Sequence, residues 1–381
     1  MEIIHIINSL KKGGAENNLF RLCKFQKEKY QAKINITIIT LIDNGYYEET
    51  LKKLGINIFS LKIDEKNKTK NFLNKIFKFR QFMKNQNPDV IQSWMYHSNF
   101  ITIFLQKKFH DKIFWNIRHS QLNYKYSKKN TILISLICGL FSKSVPKKIM
   151  YCSKTSINFH VDNHFYSRKK TNLIYNGFSG KKFYPSKILR SNFRKKNRIE
   201  ESTIVLGYAG RYSKQKNIYN LLVAFSKMSK NYKNIYLMMA GRDINTQNKE
   251  LNSFVSNLKI NNKVILLDEQ KNLIEFYNGI DLLMLTSHSE SFPNVLAESM
   301  LCSTPVLSSN VGCAKEIVNK FGFILNNNNS ESIIMKLEKF LNFFINNKDE
   351  WEIFKKKSRL QIEKNFSILK MENSYMQTWK F

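Results

Sequence analysis

The chain has 381 residues, more than one hydrophobic core commonly serves, so two domains are expected. Lysine and arginine total 62 against 29 aspartates and glutamates, a formal net charge of +33, and 43% of the residues are hydrophobic. This composition excludes a disordered chain, because it can bury two cores. The charge predicts an anionic partner, which is a nucleic acid, a membrane surface or a phosphorylated substrate.

The cysteines and the apolar segments indicate a cytoplasmic protein. Five cysteines are odd in number and scattered, without any C-x-x-C spacing, which argues against a disulfide framework and a zinc site. The opening run at 3–8 contains His5 and lacks a basic n-region, so it is predicted to be a strand rather than a signal peptide. The apolar stretch at 131–141 is shorter than the ~20 residues of a spanning helix.

The first half of the chain alternates between strand and helix patterns. Short apolar runs typical of buried strands lie at 3–8, 34–41, 56–61, 89–94, 113–118 and 148–153. Between several of them lie longer stretches with helical spacing. In the stretch at 71–86, for example, Phe72, Ile76, Phe79 and Met83 fall on one face. Such alternation predicts βαβ units and a parallel sheet.

The pattern restarts after a polar, basic interval at about 179–201. Apolar runs then recur at 203–210, 235–241, 263–267, 281–287 and 304–309. The prediction is an α/β fold with two Rossmann-like doubly wound domains and a cleft between them, at 1–180 and 181–364. A last amphipathic helix at about 365–381 is a candidate to pack back on the first domain.

Two glycines follow the first predicted strand directly before a helix. Gly13 and Gly14 stand where backbone N–H groups and the helix dipole can approach an anion. An ordinary tight turn between strand and helix explains the same pattern, and the sequence leaves both interpretations open.

Two cations follow the first predicted strand of the second half. Arg211 and Lys216 are separated by five positions, with Lys216 near the start of the next helix. A planar guanidinium and a point charge near a helix N-terminus suit a diphosphate, whose oxygens need neutralising together. The position after the first strand of a sheet strengthens this interpretation.

Two acids lie eight positions apart in the stretch "HSESFPNVLAESML". Glu290 is predicted to lie in the loop after a strand and Glu298 one to two turns into the following helix. A carboxylate accepts hydrogen bonds from vicinal hydroxyls, so one acid suits a ribose and the other a second sugar. The alternative is a helix cap and a surface ion pair.

Several motifs in order resemble the retaining glycosyltransferases of family 4, which have the GT-B fold. They are "GGAE" at 13–16, G-R-x4-K ending at Lys216, and E-x7-E in "ESFPNVLAE", followed by "CSTPV". The resemblance implies that Arg211 and Lys216 hold the diphosphate of the donor, with Gly13 and Gly14 near it. It also implies that Glu298 binds the ribose.

The same resemblance assigns further donor contacts. Glu290 is expected to contact the transferred sugar, and backbone amides at Phe292, Asn294 and Val295 to place sugar and phosphate. Arg211, Lys216, Glu290 and His119 are the expected catalytic residues. Catalysis is then mainly electrostatic stabilisation of the leaving nucleotide diphosphate, without a covalent intermediate.

The acceptor side is expected in the more basic first domain. "WNIRHS" resembles a bacterial branch of the family and places His119 near the reacting sugar, while Arg118 and His97 are further acceptor-side candidates. A structural histidine is the alternative for His119, and a capping or packing role for His97. The chain departs from the family pattern at 176–179, where an acid is missing, and at 312–313, where a glycine pair reads Gly-Cys.

The sequence thus predicts a metal-independent glycosyltransferase that uses a UDP-sugar as substrate and needs no cofactor. The expected acceptor is a glycan or a lipid-linked acceptor in cell-surface polysaccharide synthesis. An anionic membrane surface is a candidate partner, because lysines flank the amphipathic segments at 71–86 and 131–143. The alternative, and the commoner arrangement, is that these segments pack their apolar faces inward against the sheet of the first domain. A nucleotide-sugar epimerase or hydrolase is the alternative. A nucleic-acid-binding protein is less favoured, since no recognisable module is present.

Overall fold

The computed structural model describes residues 1–43, 45–63, 72–122 and 127–380. The chain forms two compact units, which are described separately below. Unit 1 comprises residues 1–177 and 368–381, and unit 2 comprises residues 178–367.

Unit 1 is built on a parallel sheet of seven strands in the order β3-β2-β1-β4-β5-β6-β7. The strands are β1 Glu2–Ile7, β2 Asn35–Thr40, β3 Asn57–Ser60, β4 Val90–Trp94, β5 Ile113–Ile117, β6 Lys148–Tyr151 and β7 Thr171–Leu173. The helices between them are α1 Gly14–Tyr30, α2 Glu48–Lys53, α3 Phe72–Lys84, α4 Met95–Thr102, α5 Lys129–Phe141 and α6 Lys154–His164. This order is that of a doubly wound sheet.

Unit 2 repeats the architecture with a parallel sheet of six strands in the order β10-β9-β8-β11-β12-β13. The strands are β8 Ile204–Ala209, β9 Ile235–Ala240, β10 Val264–Leu266, β11 Leu282–Leu285, β12 Val306–Ser308 and β13 Phe323–Ile324. The helices are α7 Lys187–Lys196, α8 Ile218–Asn231, α9 Lys249–Asn257, α10 Ile274–Gly279, α11 Asn294–Leu301, α12 Ala314–Val318, α13 Ser330–Asn346 and α14 Lys348–Asn365. The predicted α/β class with two Rossmann-like sheets is confirmed.

The central strands β1, β4 and β5 of the sheet in unit 1 are buried on both faces, and most of their residues are apolar. Ile4 and Ile6 of β1 pack into a core that includes side chains of α3, α4 and α5. Ile3 and Ile7 face the opposite core, which includes side chains of α1 and α2. Continuous apolar runs are typical of such parallel strands.

The last helix, α15 (Ile368–Lys380), belongs to unit 1 and closes the core on the α1 side. The ammonium of Lys29 on α1 lies 2.8 Å from a carboxylate oxygen of the fully buried Glu372. The indole of Trp379 donates a hydrogen bond of 3.0 Å to the amide oxygen of Gln92 on β4. These contacts fix α15 against both a helix and the sheet.

Two buried histidines are expected to make the stability of unit 1 fall in acid. Burial lowers the pKa of His5 and of His160 from the ordinary 6.5 to about 3. The unfolded chain therefore binds more protons between those values, so stability present above pH ~6.5 is lost as the pH falls. We expect the melting temperature to drop between pH ~6.5 and ~5, and to drop less in His160→Gln. Equal slopes in thermal scans of both proteins would contradict this.

Candidate active site

The cations and the acids predicted from sequence meet at one edge of the sheet in unit 2. Strands β8 and β11 are parallel neighbours, with Leu206 opposite Leu282. The loop after β8 carries Arg211 and Lys216, and the loop after β11 carries Glu290. Carboxyl ends of parallel strands share one edge, so these two loops lie side by side.

The side chains of Lys216 and Glu290 form an ion pair across the two loops. The ammonium of Lys216 lies 2.6 Å from Oε1 of Glu290, and each side chain is 17% exposed. An ammonium has three donors, so Lys216 can hold this carboxylate and anionic oxygens of a ligand together. The contact therefore couples the proposed diphosphate cation directly to the proposed sugar-binding acid.

Gln215 joins the same two loops, and the sequence analysis did not single it out. Its side-chain amide donates a hydrogen bond of 2.7 Å to the carbonyl of Ser289, and its own carbonyl accepts the N–H of His288 at 2.8 Å. Its amide oxygen accepts a longer hydrogen bond of 3.4 Å from the guanidinium of Arg211. The only sequence signal was its place directly before Lys216, within the G-R-x4-K spacing.

Gln215→Ala is expected to lower kcat about fivefold, because one hydrogen bond of roughly 1 kcal/mol no longer fixes the Ser289 loop. UDP affinity should change little, since the cations themselves remain. Steady-state kinetics with titration calorimetry separates the two effects. A variant that lost UDP affinity but kept kcat would assign Gln215 to ligand binding instead of positioning.

Glu298 lies in α11, as the sequence predicts, and is almost fully buried. Its Oε2 accepts a hydrogen bond of 3.0 Å from the hydroxyl of Tyr277 on α10. The sequence analysis did not single out Tyr277, because it is fully buried on another helix. In the sequence such a residue cannot be distinguished from an ordinary core residue. The hydroxyl orients the carboxylate that is expected to bind the ribose.

The remaining predicted donor residues lie at the start of α11. Asn294 and Val295 begin the helix, so their N–H groups belong to the first turn, where the helix dipole is positive. Phe292 is buried just before it and stacks on Phe178, with ring centroids 5.8 Å apart. The start of α11 is thus packed firmly while it presents its amides at the same sheet edge as Glu290.

Gly312, in the loop after β12, packs closely against the backbone of the loop that carries Glu290. Its φ is +56°, and a Cβ there would lie 2.4 Å from the carbonyl oxygen of Glu290 and 2.3 Å from that of Ser291. Only glycine fits such a close backbone approach. The N–H of Cys313 donates a hydrogen bond of 3.1 Å to the same Ser291 carbonyl, and its thiol is buried. The Gly-Cys departure therefore retains the glycine that the backbone requires.

The predicted residues of unit 1 also share one sheet edge. Strands β1, β4 and β5 are consecutive neighbours, and the residues that follow them are Gly13, Gly14, His97, Arg118 and His119. Gly13 precedes the first residue of α1, where Gly14 has open space around the position of a Cβ. A Cβ on Gly13 would instead meet the carboxylate of Glu16, so this acid lies against the glycine turn.

Arg118 is held by hydrogen bonds inside unit 1. Its guanidinium donates to the side chains of Asn116 and Asn176, at 2.7 Å each, to the carbonyl of Ile174 at 2.9 Å and to the hydroxyl of Tyr375. These contacts join the ends of β5 and β7 to α15. They favour a positioning role for Arg118 over direct contact with an acceptor.

The two histidine candidates differ in environment. His119 is half-buried, and its ring meets Tyr96 edge-on with centroids 6.5 Å apart. Its carbonyl accepts a hydrogen bond of 2.6 Å from the hydroxyl of Ser156. His97 is exposed on the first turn of α4, which disfavours a packing role. Their roles toward a substrate stay predictions.

Within the described ranges, no three side chains of the His, Cys, Asp and Glu types come together as a metal site. No helix in that part of the chain combines the length and the apolar character needed to cross a bilayer.

Comparison with known proteins identifies the family of the domain in unit 2. Residues 190–361 match the family model described as Glycosyl transferases group 1. These residues form a group 1 glycosyl transferase domain within unit 2.

The similar proteins include capsular polysaccharide biosynthesis glycosyltransferases of Staphylococcus aureus. CapM is 32% identical over 151 residues, which is 39% of each chain, so the match spans less than half of CapM. CapH is 24% identical over 334 residues, or 84% of each chain. The crystal structure of Anabaena HepE in complex with UDP-glucose has a TM-score of 0.82 at 18% identity, covering 100% of this chain and 99% of that one. This last likeness shows the GT-B fold.

Proposed function

We propose that this protein is a glycosyltransferase that moves a sugar from a UDP-sugar to a hydroxyl of a glycan or lipid-linked acceptor in cell-surface polysaccharide synthesis. One observation carries the proposal: Lys216 and Glu290, from loops after neighbouring strands, are in contact 2.6 Å apart. That pair provides a cation for a diphosphate, and beside it a carboxylate that can accept hydrogen bonds from sugar hydroxyls. The names of CapM and CapH support a polysaccharide product, and HepE supports a UDP-sugar donor.

The donor roles follow from the charges at the edge of unit 2. Arg211 and Lys216 neutralise the diphosphate, and the first-turn amides of α11 add fixed dipoles. Glu298, oriented by Tyr277, accepts hydrogen bonds from the hydroxyls of the ribose. Glu290 accepts hydrogen bonds from the hydroxyls of the transferred sugar. The two cations supply the charge for the leaving group, so the proposed reaction is metal-independent.

The proposed transfer retains the configuration of the anomeric carbon. The bond between that carbon and the diphosphate oxygen breaks, and the acceptor oxygen bonds to the same face of the sugar. The acceptor proton passes to the departing phosphate oxygen, so no separate base and no covalent enzyme intermediate are required. Electrostatic stabilisation of the departing UDP then supplies most of the rate enhancement.

The acceptor is proposed to bind unit 1, where His97 and His119 follow the neighbouring strands β4 and β5. A lipid-linked acceptor places the reaction at the inner face of the cytoplasmic membrane. The basic N-terminal half suits that location, because anionic lipids attract lysine-rich surfaces.

The two acids are distinguished by comparing binding with turnover. Glu298→Ala is expected to weaken UDP binding about tenfold to a hundredfold, because charge-assisted hydrogen bonds to the ribose are lost. Glu290→Gln should impair transfer while UDP affinity is largely kept. Glu338→Ala, an exposed acid on α13, is the control that should change neither. The reverse pattern, by calorimetry and kinetics, would exchange the two roles.

Product analysis tests the reaction class. The protein is incubated with a panel of UDP-sugars, with and without lipid-linked acceptors, and products are identified by mass spectrometry and by NMR of the anomeric proton. Transfer with retention, persisting in EDTA, is expected. Free or epimerised sugar formed without an acceptor would indicate a hydrolase or an epimerase. Activity abolished by EDTA and restored by magnesium or manganese would contradict metal independence.

A further inference from the structure

Helix α3 carries apolar side chains on its outer surface as well as on its inner one. Ile76, Phe79 and Met83 are buried against the sheet, as the helical spacing predicts, while the side chain of Phe72 lies outside the described residues. Leu73 and Phe77, one turn apart, are 77% and 68% exposed. An amphipathic helix that only packs inward would place polar residues at both positions.

Helix α5 shows the same arrangement. Its inner side buries Ile132 and Cys138 in the core of unit 1. Leu133 and Leu140, two turns apart, are 57% and 65% exposed, and Phe141 beside them is 42% exposed. Large apolar side chains grouped on the outside of a soluble domain mark an interaction surface.

The two outer surfaces face the same side of unit 1. Phe79 of α3 and Ile132 of α5 enter one core, together with Ile4 and Ile39 of the sheet. The opposite core contains α1 and α15 instead. Two helices that cover the same face of a sheet turn their outer surfaces away from it in the same direction.

Cations surround these apolar side chains. Helix α3 contains no acid, and its basic residues are Lys75, Lys78, Arg80 and Lys84. Helix α5 also contains no acid, and exposed lysines lie at both ends of it, namely Lys128, Lys129 and Lys143. Exposed leucine and phenylalanine among lysines are typical of helices that lie in an anionic membrane interface.

We propose that the outer surfaces of α3 and α5 dock on an anionic bilayer, with Leu73, Phe77, Leu133 and Leu140 entering the headgroup region. A second copy of the chain is a poor occupant, because it would bring a second set of lysines against the first. The proposal deepens the location given under the proposed function and rests on it for the identity of the membrane. The binding itself requires no sugar transfer.

Vesicle co-sedimentation of the full chain tests the proposal in the absence of any donor. Binding is expected to vesicles rich in phosphatidylglycerol, to weaken in high salt and to be slight on pure phosphatidylcholine. Leu73→Ser with Phe77→Ser should lower the partition coefficient about tenfold or more, because two apolar side chains no longer enter the interface. Lys75→Gln with Lys78→Gln should lower it by about tenfold and reduce the salt dependence.

The matched control removes equally exposed apolar residues from unit 2. Ile188 and Ile353 are 73% and 50% exposed, and Ile188→Ser with Ile353→Ser should bind vesicles as the wild type does. The proposal would be overturned if the control lost vesicle binding as much as the variants of α3 do, or if the variants of α3 bound vesicles as the wild type does. The proposal would also be overturned if sedimentation velocity showed the wild type as a dimer and the variants of α3 as monomers. Titration calorimetry with UDP on each variant tests the proposed function separately, because loss of vesicle binding with unchanged UDP affinity concerns only the membrane surface.

Discussion

Replacing Lys216 with alanine is expected to lower kcat about a hundredfold or more, since the cation supplies a few kcal/mol to the leaving diphosphate. The substitution also removes the partner of Glu290, which lies 2.6 Å away, so the acid that is proposed to bind the sugar loses its fixed orientation. Arg211→Ala is expected to have an effect of similar size on the same leaving group. Steady-state kinetics with the UDP-sugar that gives transfer measures both.

Lys214→Ala is the matched control for Lys216. Lys214 lies on the same short turn, Lys214–Lys216, but is exposed. Its loss changes the net charge equally, so a similar drop in kcat in both variants would indicate a general effect of charge. A Lys216→Ala enzyme with a rate near that of the wild type would refute the assignment of the diphosphate to this loop.

Replacing Arg194 with methionine is expected to destabilise unit 2 by about 3–5 kcal/mol, because a buried ion pair loses one partner. Arg194 is 1% exposed, and its guanidinium lies 2.8 Å from Oδ2 of Asp281. It also donates to the carbonyls of Gly279 and Thr203, at 3.0 and 2.9 Å, while the same Asp281 oxygen accepts the N–H of Val205. The pair therefore ties α7 to the start of β8 and β11, the strands that carry the site.

Scanning calorimetry of the full chain measures this loss as a lowered transition temperature. Arg190→Met is the control, since Arg190 contacts the same Asp281 at 3.0 Å but is 28% exposed, and should cost about 1 kcal/mol or less. Adding Asp281→Asn to Arg194→Met should recover part of the loss, because the uncompensated buried charge disappears. An Arg194→Met protein as stable as the control would show that the pair contributes little.

Most strands of the two sheets could be predicted because a parallel strand covered on both faces is a nearly continuous apolar run. The run at 113–118, for example, corresponds to β5, Ile113–Ile117. The sequence analysis missed β7, Thr171–Leu173, and β13, Phe323–Ile324. Both are short edge strands, and their residues are only half-buried, so neither produces a continuous apolar run.

The candidate site was predictable to the extent that it consists of residues close to strand ends. Glu290 in a loop and Glu298 in the following helix were placed correctly because the spacing within one strand-loop-helix unit is local. The contact of Glu298 with Tyr277 was not predictable, since the tyrosine lies on another helix. The contact of Arg118 with Tyr375 joins residues from opposite ends of the chain.

The sequence by itself determined the alternation of strand and helix, the division into two sheets and the chemical types of the residues at the strand ends. These features depend on local periodicity and on neighbours along the chain. Only the tertiary structure decided that Lys216 pairs with Glu290, and that Leu73 and Phe77 stay outside while Ile76 and Phe79 are buried. Strand order and helix rotation depend on packing between distant segments, which periodicity along one segment does not specify.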